Sequence, residues 1–121
     1  VEVRSKYFKG SFGPKGIRTI DNNSNTLDIF EGFIDYLTFL EIKGLKIPIN
    51  DTIVLNSVVF INQVKPKEKI KNIRLFMDND RAGNEATNYF KKIFTNFTVV
   101  DMRELYKNFS DLNDYHCSRN K

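Results

Sequence analysis

Hydrophobic and polar positions along the chain fall into short apolar runs that alternate with longer amphipathic stretches. TLDIF (26–30), the apolar run within DTIVLNSVVF (51–60), NIRLFM (72–77) and NFTVVDM (96–102) are of strand length and rich in β-branched or aromatic residues. Between them, FIDYLTFLEIK (33–43) spreads its apolar residues around enough of a helical circumference to lie on a sheet, and Gly44 supplies the stop. From Arg81 to Phe94, the residues Ala82, Ala86, Phe90, Ile93 and Phe94 share one helical face. The charged stretch INQVKPKEKIK (61–71) predicts a helix that starts near Pro66, and the tail from Glu104 predicts helix with an irregular centre. Ahead of these elements, VEVRSKYF and GIRTI flank the turn-rich GSFGPKG, which predicts a β-hairpin over residues 1–20; DNNSN (21–25) is a loop.

Strands that alternate with helices, and that are apolar throughout rather than at every second position, predict an α/β domain. Its core is a parallel sheet of about four strands with helices on both faces. Residues 1–22 form a basic hairpin extension on this reading, and residues 23–121 form the α/β domain. In such sheets ligands gather beyond the carboxyl ends of the strands, where the strand order reverses.

Two of those strand ends carry acids. In IFEGFID, Glu31 follows the strand, Gly32 permits a tight turn or a close approach, and Asp35 comes four residues later, at the spacing that shares a helix face. In LFMDND, Asp78 and Asp80 lie on the same side of an extended chain, because side chains alternate with a period of two. If the two strands are neighbours, four carboxylates converge. Their mutual repulsion and desolvation are unfavourable unless a cation sits among them. Oxygen ligands suit Mg²⁺, whereas zinc finds little here, with one histidine (His116) and one cysteine (Cys117) in the chain. Such an ion held by carboxylates is chemistry for phosphoryl transfer. The competing reading is local: Asp80 suits the N-cap of a helix at RAGNEAT, and Asp35 suits the positive end of a helix dipole.

Composition narrows the picture further. The 121 residues are 40% hydrophobic with few Gly and Pro, as expected of a globular domain, and no apolar run is long enough to span a membrane. A lone cysteine excludes an internal disulfide, and a cytoplasmic location is the expectation. The chain begins at Val1 directly in charged, strand-like sequence, which points to a piece of a longer protein. Its net charge of +4 is concentrated at the start: residues 1–18 hold Arg4, Lys6, Lys9, Lys15 and Arg18 against Glu2, and the remainder is balanced. A basic segment favours phosphate-rich partners, although lysines also keep a hairpin edge soluble.

DIFEGFIDYLTFL followed by IRLFMDNDRAGNEAT resembles the Toprim domain shared by bacterial-type primases, topoisomerases of types IA and II, and some nucleases. The shared pattern is an apolar strand ending in Glu-Gly, an Asp four residues on in primase-like members, and a second strand ending in DxD, often followed by Ala-Gly and a helix. SDLNDYH resembles the acidic segment after the last strand of primase-type members, and FKGSFGPKGI resembles the lead-in of primases from plasmids and mobile elements. The resemblance covers about residues 27 to 116. It implies a Rossmann-like Toprim fold, a Mg²⁺ or Mn²⁺ cofactor, and a catalytic set of Glu31, Asp35, Asp78 and Asp80. Within that set Glu31, Asp78 and Asp80 are the metal ligands, and Asp111 and Asp114 are possible additional acids.

The activity so implied is nucleotidyl transfer in replication or mobilisation, with DNA (a single-stranded template or a primer-template) and nucleotides as partners and no membrane. Lys6, Lys9, Lys15, Arg18 and Arg81 are the expected phosphate contacts. Because little precedes the motif strand, other domains of a parent protein, a zinc-binding domain or a helicase, would complete the machinery. The alternatives are strand cleavage of the nuclease or topoisomerase kind, a non-catalytic nucleic-acid-binding module, and a haloacid-dehalogenase-type phosphatase. That phosphatase also uses DxD but leaves Glu31 without a task.

Overall fold

In the computed structural model residues 17–119 are described. They build a five-stranded mixed sheet from β1 (Arg18–Ile20), β2 (Thr26–Phe30), β3 (Asp51–Val54), β4 (Asn72–Phe76) and β5 (Thr98–Asp101), in the spatial order β1-β3-β2-β4-β5. Strands β2 to β5 are mutually parallel, as expected, and β1 adds to the edge of β3 in the antiparallel sense. The first strand of the anticipated hairpin, and its turn, lie outside the described residues.

Period-two alternation sorts the core into two layers. Leu27, Ile29, Ile53, Leu55, Ile73, Leu75 and Met77 face one side, where Ala86 and Phe90 of α2 (Arg81–Ile93) and Phe94 at its C-cap cover them. Phe30, Val54 and Phe76 face the other, under Tyr36, Phe39 and Leu40 of α1 (Phe33–Lys43) and Leu112 of α3 (Leu112–Arg119). Helices therefore lie on both faces. The rings of Phe30 and Phe76 stack at 4.4 Å between centroids, on residues paired across β2 and β4. Full burial of each such side chain is worth about 1.5–3 kcal/mol. Helix α1 ends where Gly44 takes φ of 68°, a left-handed conformation that glycine adopts without steric cost. Among the described residues no helix is long and apolar enough to cross a membrane.

Two expectations are corrected. The charged stretch does not start a helix at Pro66; a 3₁₀ helix over Val58–Gln63 precedes it, and residues 64–71 are irregular. Val64 and Ile70 are pulled into the core, while Lys67 and Lys69 between them pair with Asp21, and Lys69 also with Asp51. These long-range contacts override the local tendency. On α2, Ile93 is not part of the buried face; Gly83 and Thr87 are. The tail behaves as anticipated, with a 3₁₀ turn over Met102–Tyr106 before α3.

Asp28 is buried in the middle of β2 and accepts a two-pronged contact from Arg74 on β4, at 2.6 Å from Nε and 2.9 Å from Nη2. The two residues face each other in the strand register, and the guanidinium lies over the rings of Phe39 and Phe76. Asn50 adds a third donor to the same carboxylate.

Candidate functional site

The chain runs from β2 through α1 to β3 on one side of β2, then crosses to β4 on the other. Helices α1 and α2, which follow β2 and β4, lie on opposite faces of the sheet, so the two strand ends splay open a crevice. Glu31 and Asp78 stand at those two ends. The Glu31 N–H donates to the carbonyl of Phe76 (3.2 Å), and the Asp78 N–H donates to Glu31 Oε1 (2.9 Å).

Around this pair opens a cleft of about 470 Å³, lined among others by Glu31, Asp35, Asp78, Asp111 and, from the end of β3, Asn56 and Ser57. One carboxylate oxygen from each of Asp35, Asp78 and Asp111 lies within 4.8 Å of the other two. Asp35 is buried in the first turn of α1, with its Oδ1 accepting the Asn113 N–H at 3.1 Å. Asp111 caps α3 by accepting the Asp114 N–H at 2.8 Å. Helices α1 and α3 thus both present their N-terminal ends to the cluster, where partial positive charge offsets some of the repulsion.

The electrostatics are those of crowded acids. Burial, and then the charges of Glu31, Asp35, Asp111 and Asp80, push the Asp78 carboxyl up to about 8. Burial and the neighbouring Asp111 raise Asp35 to about 6. Glu31 is raised as well, mainly by burial, with the Asp78 N–H working in the opposite direction. Three groups held above their ordinary range at one strand-end crevice form a strained site that a cation would relieve. The donor set is made of carboxylate oxygens, which fits Mg²⁺ or Mn²⁺.

The anticipated residues divide as follows. Glu31, Asp35, Asp78 and Asp111 come together. Asp80 is exposed and its side chain caps α2, Oδ1 accepting the Gly83 N–H at 2.7 Å, so it acts on Glu31 and Asp78 through its charge. Asp114 is exposed and outside the converging set. Arg81 is fully exposed beside the site and pairs with Glu85 at 3.3 Å. Arg18 lies over the ring of Phe33, a residue of the cleft wall. Lys6, Lys9 and Lys15 lie outside the described residues.

The two motif glycines differ. A Cβ on Gly83 would stand 2.0 Å from the carbonyl oxygen of Asp78, so only glycine lets α2 start this close to the acidic strand end. Gly32 has φ of −122° and open space where a Cβ would go, so neither backbone geometry nor packing in the protein itself calls for a glycine.

Asn56, Ser57 and Asn113 escaped the sequence reading. Asn56 takes φ of 64° at the end of β3, a left-handed position that asparagine tolerates, and an Asn after an apolar run is the one signal that could have marked it.

The sequence pattern of the Toprim-like family matches residues 29–116, a span that holds both acidic strand ends and Asp111. The chain belongs to this family. In structure it is similar to the primase fragment of the bacteriophage T7 primase-helicase protein, with 20% sequence identity and a TM-score of 0.58. That likeness covers 79% of this chain and 40% of the phage fragment, so this Toprim-like chain spans less than half of it. No curated protein matches the chain with significance.

Proposed function

We infer that this Toprim-like chain is the metal-dependent catalytic domain of a primase-like protein and carries out nucleotidyl transfer on nucleic acid. The observation that carries this reading is the convergence of Asp35, Asp78 and Asp111 beside Glu31 at the ends of β2 and β4. An ion held by these carboxylates would neutralise phosphate charge and orient an in-line attack. Asp78, at the end of β4, would hold the ion together with Asp35 and Asp111, which come from two helix starts.

Glu31 has a different task. Its carboxyl is anchored by the Asp78 N–H and its proton affinity is raised above the ordinary range by burial, which suits a group that holds or releases a proton. Arg18, over the ring of Phe33, and the exposed Arg81, next to Asp80 in the chain, supply positive charge for the phosphate backbone, together with Lys6, Lys9 and Lys15 in the basic N-terminal segment. DNA and nucleotides are the partners on this reading, with a zinc-binding or helicase domain of the parent protein completing the work.

The test is nucleotide incorporation on a single-stranded template with Mg²⁺ or Mn²⁺, alongside metal-dependent DNA binding by the same protein. Metal-dependent binding is expected of the wild-type chain itself, and incorporation when the completing domain of the parent protein is present. Incorporation should fall at least a hundredfold in Glu31→Gln and in Asp78→Asn. Strand cleavage in place of incorporation would transfer the site to a nuclease. Turnover of a small phosphomonoester that survives Glu31→Gln would sink the reading altogether.

A further inference from the structure

Asp111 reaches the acidic cluster from a segment far away in the chain, and what holds it there is the residue between the two aspartates of the motif. Asn79 donates through Nδ2 to the carbonyls of both Tyr106 (3.0 Å) and Phe109 (2.8 Å), and its N–H donates to the Ser110 carbonyl (2.8 Å). In return the Tyr106 hydroxyl donates to the Met77 carbonyl at 2.7 Å, from a ring that is 1% exposed. Residues 77–79 and 106–110 are therefore stitched together by four hydrogen bonds immediately before Asp111. On the far side the segment is fastened to α1, through the Asn113 N–H to Asp35 and the Thr38 hydroxyl to Asn113 Oδ1 (2.9 Å).

We propose that Asn79 is the positioning residue of the acidic site, setting the distance between Asp78 and Asp111 and with it the affinity for a divalent cation. The chemistry calls for an amide at this position. Its NH₂ group satisfies two carbonyl acceptors at once, which neither a carboxylate nor an apolar side chain can do. Because Asn79 is the next residue after Asp78, one short stretch of chain both supplies a ligand and fixes where another is placed. Outer contacts of this kind commonly change metal affinity by 10- to 100-fold. The inference rests on the metal-site reading above, and it concerns a residue that touches no ion itself.

The experiment is a double-variant cycle with Mn²⁺ alone as the probe. Affinity is read by calorimetry and by the paramagnetic resonance of free Mn²⁺, at a temperature where circular dichroism shows every variant folded. Asn79→Ala and the similarly sized Asn79→Leu are expected to weaken binding about tenfold in the wild-type background and by less than twofold when Asp111 is already Asn. In parallel, hydrogen exchange on the metal-free proteins should show the Asn113 and Asp114 amides losing protection in Asn79→Ala. Equal weakening with and without Asp111, or unchanged amide protection, would overturn the proposal. If the wild type bound no Mn²⁺ while the amides still responded to Asn79→Ala, the positioning would stand and the metal-site reading would fail.

Discussion

The Asp78 N–H donates to Glu31 Oε1 across 2.9 Å, so one of the site's acids ties together the two strand ends from which both acids emerge. The side chain of Asp78 is left to the cluster. Its carboxylate feels Glu31, Asp35 and Asp111 at once, which makes Asp78 the residue whose neutralisation has the widest effect.

Replacing Asp78 with Asn removes one charge from a group of mutually repelling carboxylates. The metal-free variant is expected to melt several degrees above the wild type at pH 8. The wild type should gain stability on addition of Mg²⁺ or Mn²⁺, and the variant should gain little or none. Thermal melts with and without the ion check both halves.

The same groups set a pH dependence. Asp35 and Asp78 have folded-state values of about 6 and about 8, both above the ordinary 3.8. A raised carboxyl binds its proton more tightly in the folded state, so its contribution is fully present below about pH 4 and is lost as pH rises through the folded value. Metal-free stability should therefore decline between about pH 4 and pH 8 more steeply in the wild type than in Asp78→Asn. Divalent affinity should rise across the same window, because binding has to displace those protons. Denaturant unfolding and calorimetry at stepped pH would measure the two slopes.

The motif glycines should respond oppositely to alanine. Gly83→Ala places a methyl against the Asp78 carbonyl and is expected to cost about 1–3 kcal/mol or more in urea unfolding, although alanine normally favours a helix. Gly32→Ala meets open space and should change stability by less than about 0.5 kcal/mol. If the open space beside Gly32 is where phosphates approach, this second variant should fold normally and still lose incorporation activity.

Breaking the Asp28–Arg74 pair from one side leaves a buried charge unmatched. Arg74→Met, which strands the buried Asp28 carboxylate, should cost about 3 kcal/mol; Asp28→Asn, which leaves the partly exposed Arg74, should cost less, and the double replacement Asp28→Leu with Arg74→Met should be milder than Arg74→Met. The pair also guards strand register. A slip of one residue between β2 and β4 would shift Glu31 against Asp78 by about 3.3 Å and turn alternate side chains to the wrong face. Equilibrium unfolding of the three variants tests the energetic claim.

Much of this was legible in the chain because the signals were local. EGFID and LFMDND advertise themselves by placing like charges where apolar runs stop, and the crevice rule says where such ends meet. What was not legible came from contacts over long separations. Residues 64–71 look like a charged helix until Lys69 is seen to need Asp51 and Asp21. Asp80 was expected among the ligands, and the alternative of a helix cap was visible in the same letters; the geometry of the cap, with Gly83 beneath it, decides where its carboxylate points. The role of Asn79 could not be read at all, since its partners lie 27 and 30 residues downstream.

The cluster draws Asp35, Asp78 and Asp111 from three segments that the chain joins only after both faces of the sheet are covered. A nascent or clipped chain lacking the last of these would hold two acids and the repulsion between them, without the third ligand. On the metal-site reading proposed above, occupancy would work as a certificate of completion: strong cation binding would be reserved for molecules whose final helix has docked, and unfinished ones would be silent.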